Sequence, residues 1–331
     1  MSSIDFDKLF ASFPDITVGV IGDVMLDTYM WGRVDRISPE APVPVVALQK
    51  KDYRIGGAGN VALNLAALGA KVSILSVTGA DEEGEQLKKM FGENGIGTEF
   101  LLSSPKRITT NKIRVISRNQ QMMRLDSEIT KDLGYEDENR LILSIQHFIA
   151  QENPRVIIFE DYNKGILTET LIQKIIALCR MKNIITTVDP KRKNFFAYKE
   201  VDIFKPNLKE VKEGLNIIDE STDETMLRDI HQQLKDALQH RVSFITLSEK
   251  GVFYALDKEA RIIPSHLRNI SDVSGAGDTV IAVASLVFAG TGDMNLTAEM
   301  ANIAGGLVCE EVGTVAIDKE KLLRECKILL A

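Results

Sequence analysis

Short β-branched runs alternate with amphipathic helical runs through most of this 331-residue chain, and that alternation narrows the possible folds more than any other feature. The runs at 17–22, 72–77, 156–160, 184–189 and 242–247 have the length and apolar character of strands covered on both faces. Helical periodicity runs over 60–68, 82–94, 136–151, 168–181, 208–215 and 222–239. This order predicts an α/β fold, with a mainly parallel central sheet and helices on both of its faces. Sites in such sheets lie beyond the carboxyl ends of the strands, so the residues that follow each apolar run carry the functional information.

Two segments depart from the alternation. Residues 43–54 (VPVVALQKKDYR) and 107–125 (RITTNKIRVISRNQQMMRL) read as half-exposed strands with no helix after them. The second contains a hairpin turn near Arg118-Asn119-Gln120. They predict a small projecting sheet, with strands near 33–54 and 107–125, that acts as a lid over the site or as a contact with a second subunit. No linker, repeat or low-complexity stretch divides the chain, so one domain over 1–331 is expected.

Composition excludes several functions. A hydrophobic content of 44% and a charged content of 26% are those of an ordinary globule with a sizeable core. A net charge of -7 without any Lys/Arg block argues against a nucleic-acid partner. No apolar run approaches the ~20 residues that span a bilayer. The first residues lack the basic and apolar regions of a signal peptide. Cys179, Cys309 and Cys326 lie far apart, as reduced thiols of a cytoplasmic protein do. The four histidines have no ligand spacing, and no Ser/His/Asp order suggests a hydrolase.

The chemistry concentrates at Asp272-Val-Ser-Gly-Ala-Gly-Asp278, which runs into a long apolar helix-forming segment. Free N–H groups and the positive end of the helix dipole at such a turn suit an anion. A carboxylate beside an anion site makes sense if Asp278 takes a proton from a hydroxyl that attacks phosphorus held by the amides of Gly275, Ala276 and Gly277. No Walker-type loop or protein-kinase loop set is present.

A second glycine-rich segment, Ile55-Gly56-Gly57-Ala58-Gly59-Asn60, meets a relaxed dinucleotide fingerprint but does not follow the first strand, where that fingerprint belongs. It reads instead as a close backbone approach to a polar ligand with Asn60 offering its amide, or as a tight packing turn. At the first strand's end, Asp23 and Asp27 suit vicinal hydroxyls, or serve as a helix cap and a surface charge. Asp161 and Lys164, after the run ending at Glu160, suit a phosphorylated sugar, and a solvated loop is the alternative for Lys164. Lys191 follows another strand end at Asp189. Asn207 and Glu210 have capping-box spacing, which spacing alone prefers over contact with an Mg²⁺-bound water. Ser248 and Gly251 follow the 242–247 run and border a nucleotide lying along the sheet edge.

DVSGAGDTV and GGAGNVALNLAALGA resemble the two signatures of the ribokinase-like (PfkB) carbohydrate kinases, with Val283 where the family usually carries Gly or Ala. VIGDVMLDTYMWG, RISPEAPVPVV, EDYNKG, VDPK, KPNLKE and TLSEKG resemble, more narrowly, the kinase domain of bacterial heptose 7-phosphate kinases of ADP-heptose synthesis. EDYNKG carries Asn163 where close relatives carry Gly. The likeness extends over nearly the whole chain from Thr17. It implies a three-layer ribokinase-like fold with a β-sheet lid, ATP and Mg²⁺ as cofactors, and a homodimer through the lid. By the same resemblance Asp278 is the base and Gly275, Ala276 and Gly277 form the anion hole. Asp27, Gly56, Gly57 and Asn60 bind the sugar, with Asp161 added. Asn207 and Glu210 concern Mg²⁺–ATP, with Glu210 the metal residue, and Ser248, Gly251 and Asn302 surround the nucleotide. Lys164, Lys191, Arg114 and Arg124 are candidates for the sugar's phosphate, Arg124 reading equally as a solvated lid residue. The implied reaction phosphorylates the anomeric hydroxyl of D-glycero-D-manno-heptose 7-phosphate for lipopolysaccharide core assembly in a Gram-negative host. The chain ends before the nucleotidyltransferase domain that follows in many relatives, so a stand-alone kinase or a kinase part is expected. Another sugar kinase, such as a fructokinase, or a catalytically silent sugar-binding protein are the alternatives.

Overall fold

The alternating runs assemble into the expected α/β architecture in a computed structural model that describes residues 4–118, 120–218 and 223–330. In chain order the strands are β1 (Thr17–Gly22), β2 (Val24–Ile37), β3 (Pro44–Gly57), β4 (Lys71–Gly79), β5 (Leu101–Ser104), β6 (Thr110–Ser117) and β7 (Gln120–Ser127). They continue with β8 (Val156–Glu160), β9 (Ile185–Asp189), β10 (Ile203–Phe204), β11 (Val242–Thr246), β12 (Val252–Leu256) and β13 (Glu259–Ile263). The helices are α1 (Phe6–Ser12), α2 (Ala58–Leu68), α3 (Glu82–Glu93), α4 (Tyr135–Glu152) and α5 (Glu169–Met181), followed by α6 (Leu208–Leu215), α7 (Glu224–Leu238), α8 (Ala276–Thr291), α9 (Met294–Val308) and α10 (Lys319–Leu329).

The central sheet has the order β13-β12-β11-β10-β9-β8-β1-β4-β5, parallel from β5 to β11, with β12 and β13 antiparallel at one edge. Side chains alternate between its faces, so each strand supplies two cores. Val18 and Val20 of β1, Val156 and Ile158 of β8, and Val242 and Phe244 of β11 pack with α2, α8, α9 and α10. Ile21, Ile157, Phe159 and Ile245 pack on the other face with α4, α5 and α7. This double burial is why the runs are apolar throughout instead of alternating.

The lid is the four-stranded sheet β3-β2-β6-β7. It is larger than expected, because β2 starts at Val24 with only Asp23 between it and β1. Asp27 therefore stands on a lid strand, not in a turn after β1. Lid register sets Arg54, Asp27, Lys112 and Asp126 side by side in one row, and Tyr29, Arg114 and Arg124 in the next. Of the expected hairpin turn, Asn119 lies outside the described residues, as does Thr222 at the expected start of α7. Among the described residues no helix is long and apolar enough to cross a membrane.

Gly22 closes β1 where it meets β8. A Cβ there would lie 2.0 Å from the Glu160 carbonyl oxygen, which is backbone and unable to step aside. Gly22→Ala is expected to lower stability by about 1–3 kcal/mol through overpacking. Urea unfolding would check this, and an unchanged midpoint would show that the β1–β8 edge yields freely.

Candidate active site

Parallel strands deliver their last residues to one edge, and here that edge is crowded with charge. β1, β8, β9 and β10 end at or just before Asp23, Glu160, Asp189 and Lys205. The N-terminus of α8 faces them. Gly275 takes φ 80 as its N-cap, a conformation that suits glycine, and a Cβ there would lie 2.8 Å from Asn60 Nδ2. Amides in a helix's first turn have no intrahelical partner. The Ala276 N–H bonds the Val273 carbonyl at 3.3 Å.

Asp278, in the first turn of α8, is 5% exposed. Asn60 Nδ2 donates to its Oδ2 at 2.7 Å and the Tyr162 hydroxyl donates to its Oδ1 at 2.7 Å. Burial raises its pKa to about 6, and the two hydrogen bonds partly offset that rise. Asn60 is itself held in place: Asn64 Nδ2 donates to its carbonyl at 2.8 Å, and Asn64 Oδ1 accepts from the Thr279 hydroxyl and the Ile317 amide.

Glu160, Asp189 and Asp278 bring carboxylate oxygens within 4.8 Å of one another. Lys205, only 2% exposed, pairs with Asp189 at 2.8 Å. Lys191 reaches Asp189 at 3.5 Å and Glu210 at 2.5 Å. Burial raises the Asp189 carboxyl, but Lys205 and Lys191 outweigh it and hold the group low. Glu160 moves the opposite way, well above the usual range, through burial and then the charges of Asp189 and Asp278. Neither of its buried oxygens has a hydrogen-bond partner. An oxygen-only donor set with one carboxyl unpartnered fits a hard cation such as Mg²⁺. Glu210, expected as the metal residue, is not part of this cluster. Its Oε2 accepts the Asn207 amide at 2.9 Å, completing the capping box, and its Oε1 takes Lys191.

Other expected ligand residues already have partners within the protein. Asp23 is 1% exposed, and its carboxylate accepts the amides of Tyr162, Lys164 and Ile166 at 2.8, 3.0 and 3.1 Å. It anchors the loop after β8. Asp161 is equally enclosed, accepting from the Asn163 amide, Asn194 Nδ2 and the Tyr198 hydroxyl. Asn60, read as a ligand amide, is fully buried with its N–H on Asp278. Asp27 Oδ1 pairs with Arg114 at 2.5 Å, and Gly56 backs onto its Oδ2 while Gly57 backs onto the Asp23 carbonyl. Arg124 pairs with Asp126 on the outermost lid strand, and Lys164 pairs with Glu128 at 2.7 Å.

Of the nucleotide candidates, Ser248 lines a cavity, and Gly251 and Asn302 both lie against Pro264. A cavity of about 740 Å³ lies between α6 and the turn after β11, lined by Leu208, Ile217, Leu247 and Ser248 among others. Gly251 follows that turn with φ 95, and Asn302 on α9 donates to the Pro264 carbonyl at 2.9 Å.

Residue-level reading missed Glu160, Tyr162, Lys205 and Lys112. Lys112 and Lys191 place their ammonium groups 5.8 Å from the Tyr162 ring centroid. The signal available for Lys205 was its place one residue before the Pro206-Asn207 helix start, right after an apolar pair. Lys205→Met leaves Asp189 buried without its close cation, and a loss of about 3–5 kcal/mol is expected in chemical unfolding. A cost under ~1 kcal/mol would show that Lys191 alone neutralises Asp189.

Residues 16–321 match the family described as pfkB family carbohydrate kinase. The chain is 38% identical over 326 residues to the Bifunctional protein HldE of Geobacter sulfurreducens, and 39% identical over 312 residues to that of Campylobacter curvus. These alignments take in 98% and 93% of this chain, which spans 65% of the length of each relative. Phosphofructokinase-2 from Escherichia coli, in complex with potassium, shares the fold with a TM-score of 0.76 at 16% identity, over 94% of this chain and 99% of that one. Arabidopsis thaliana ribokinase, complexed with ribose and ATP, does so with a TM-score of 0.70 at 14% identity, over 93% and 99%. With its glycine turn, buried aspartate and lid in place, the chain belongs to the pfkB family of carbohydrate kinases and is a phosphotransferase.

Proposed function

We propose that this kinase transfers the γ-phosphoryl of ATP to the anomeric hydroxyl of D-glycero-D-manno-heptose 7-phosphate, giving the 1,7-bisphosphate. The observation that carries the reaction type is Asp278, a buried carboxylate in the first turn of α8 directly after the Gly275–Gly277 turn. The sugar reading rests on RISPEAPVPVV, which the heptose kinases share, and on relatives named Bifunctional protein HldE. Those relatives are longer than this chain, so only the kinase step is assigned.

In this reading Asp278 accepts the proton of the attacking hydroxyl as the new O–P bond forms and the bond to the β-phosphate oxygen breaks. The amides of Gly275 and Gly277 hold the oxygens of the transferring group, whose charge grows near the positive end of the α8 dipole, and the Ala276 amide joins them by giving up the Val273 carbonyl. Mg²⁺ bound beside Asp189 and Glu160 would neutralise phosphate charge. Lys205 and Lys191 keep Asp189 ionised for it. The nucleotide lies toward Ser248, Gly251 and Asn302 along the cavity beside α6.

Asp27 and the Gly56–Gly57 backbone contact the sugar hydroxyls. The lid supplies the cations for its phosphate. Lys164, Lys191, Arg114 and Arg124 are each paired with a carboxylate. Lys112, beside Asp27 in the lid register, is partly buried with no ion pair among the described residues, and burial lowers its pKa. An incoming phosphate supplies the counter-charge it lacks. Ile37, Leu48, Met123 and Leu125 expose apolar surface on the lid, which supports pairing of two lids in a homodimer.

Asp278→Asn is expected to cut turnover by about 10²–10⁴-fold with sugar binding retained. Unchanged ATP consumption would remove Asp278 from the mechanism. Because the ionised form is the base and its pKa stands at about 6, turnover should be full well above that pH and fall as pH drops through it. A pH–rate profile without an acid limb in that region counts against the assignment. For the substrate, a panel of sugars and sugar phosphates decides: faster turnover of a plain hexose than of the heptose phosphate overturns the heptose reading.

A further inference from the structure

Tyr162 has no part in the chemistry above, yet its hydroxyl is aimed at the base. The ring leaves the loop after β8 and carries two lysines over it, Lys112 from the lid and Lys191 from the segment after β9, each 5.8 Å from its centroid. The backbone beneath it is fixed, since its own amide donates to Asp23 at 2.8 Å and the next-but-one amide, of Lys164, does so at 3.0 Å. The Arg107 guanidinium adds a bond to the Lys164 carbonyl at 2.5 Å. From this base the hydroxyl donates to Asp278 Oδ1 at 2.7 Å, while Asn60 donates to Oδ2 at 2.7 Å. One donor leaves a carboxylate free to swing about its Cβ–Cγ bond, whereas two donors on two oxygens fix its plane. Each oxygen keeps a further lone pair for another partner.

We propose that Tyr162 is a positioning residue for the phosphoryl-transfer base: opposed to Asn60, its hydroxyl sets the plane of the Asp278 carboxylate so that the remaining lone pairs face the acceptor hydroxyl. This rests on the kinase reading of Asp278. With its ring wedged beside the two lysines and its own amide held by Asp23, the hydroxyl serves as a fixed donor. The groups facing Asp278 are Glu160 from β8, Asp189 from β9, Lys205 after β10, Asn60 from α2 and Tyr162. Of these, Tyr162 is the hydroxyl donor, and it can be removed without changing any charge.

Tyr162→Phe keeps the ring beside the two lysines and deletes that donor. Expected are a fall in kcat of about tenfold, KM values within about twofold, and an acid limb moved up by about half to one pH unit. The upward direction follows because a donor to the ionised carboxylate favours that form, so losing it raises the carboxyl pKa. 3-Fluorotyrosine placed at 162, a stronger donor of nearly the same size, should move the limb down. An unmoved limb overturns the proposal even if kcat falls, because a loosened loop slows turnover without altering the carboxyl's affinity for a proton. A raised KM with kcat intact also overturns it, as does a fluorotyrosine shift in the same direction as the phenylalanine one. If the wild-type enzyme ignores the heptose phosphate, the substrate reading fails separately, and the same comparison runs on the sugar that the panel shows to be turned over.

Discussion

Three carboxyl groups meet at the end of the central sheet because a lysine is buried with them. Lys205 neutralises Asp189, and without that pair the pocket would hold like charges in a medium too poor in water to screen them. The three acids then resolve the same crowding in three ways. Asp189 stays ionised against its cations, Glu160 is driven toward its neutral form, and Asp278 is raised to about 6. Separation of neighbouring acids by environment is what gives one of them a base's affinity for protons.

The architecture supplies this arrangement with little local ingenuity. Parallel pairing of β1, β8, β9 and β10 brings residues far apart in sequence to one edge, and α8 meets that edge with its positive end. The polar network behind it runs inward through Asn60 and Asn64 to the Ile317 amide, so Asp278 is braced from the helix layer as well as from the sheet. The lid adds charges that are largely paired with one another, while Lys112 and Arg54 have no ion pair among the described residues.

The central strands were legible because burial on both faces leaves an unbroken β-branched run, and Leu208–Leu215 was legible because its cap and its periodicity agree. β10, only two residues long, leaves too short a pattern to see. β2 was hidden for the opposite reason: it follows β1 after one residue and begins with apolar positions, so the two strands blur into one run. Within the site, Asp278 and its glycine turn could be read because the chemistry is local. Asp23, Asp161 and Asn60 looked like ligand groups because a polar residue at a strand end looks alike whether it faces a sugar or the protein's own distant amides. Lys205 went unread because its partner lies sixteen residues away, at the end of the neighbouring strand.

Asp23 is the lone residue joining the first central strand to the first strand of the lid, and it also clasps the loop that carries Tyr162. The crossing from sheet to lid therefore shares its anchor with the loop whose tyrosine hydroxyl meets Asp278, so one buried carboxylate fixes two segments far apart in sequence.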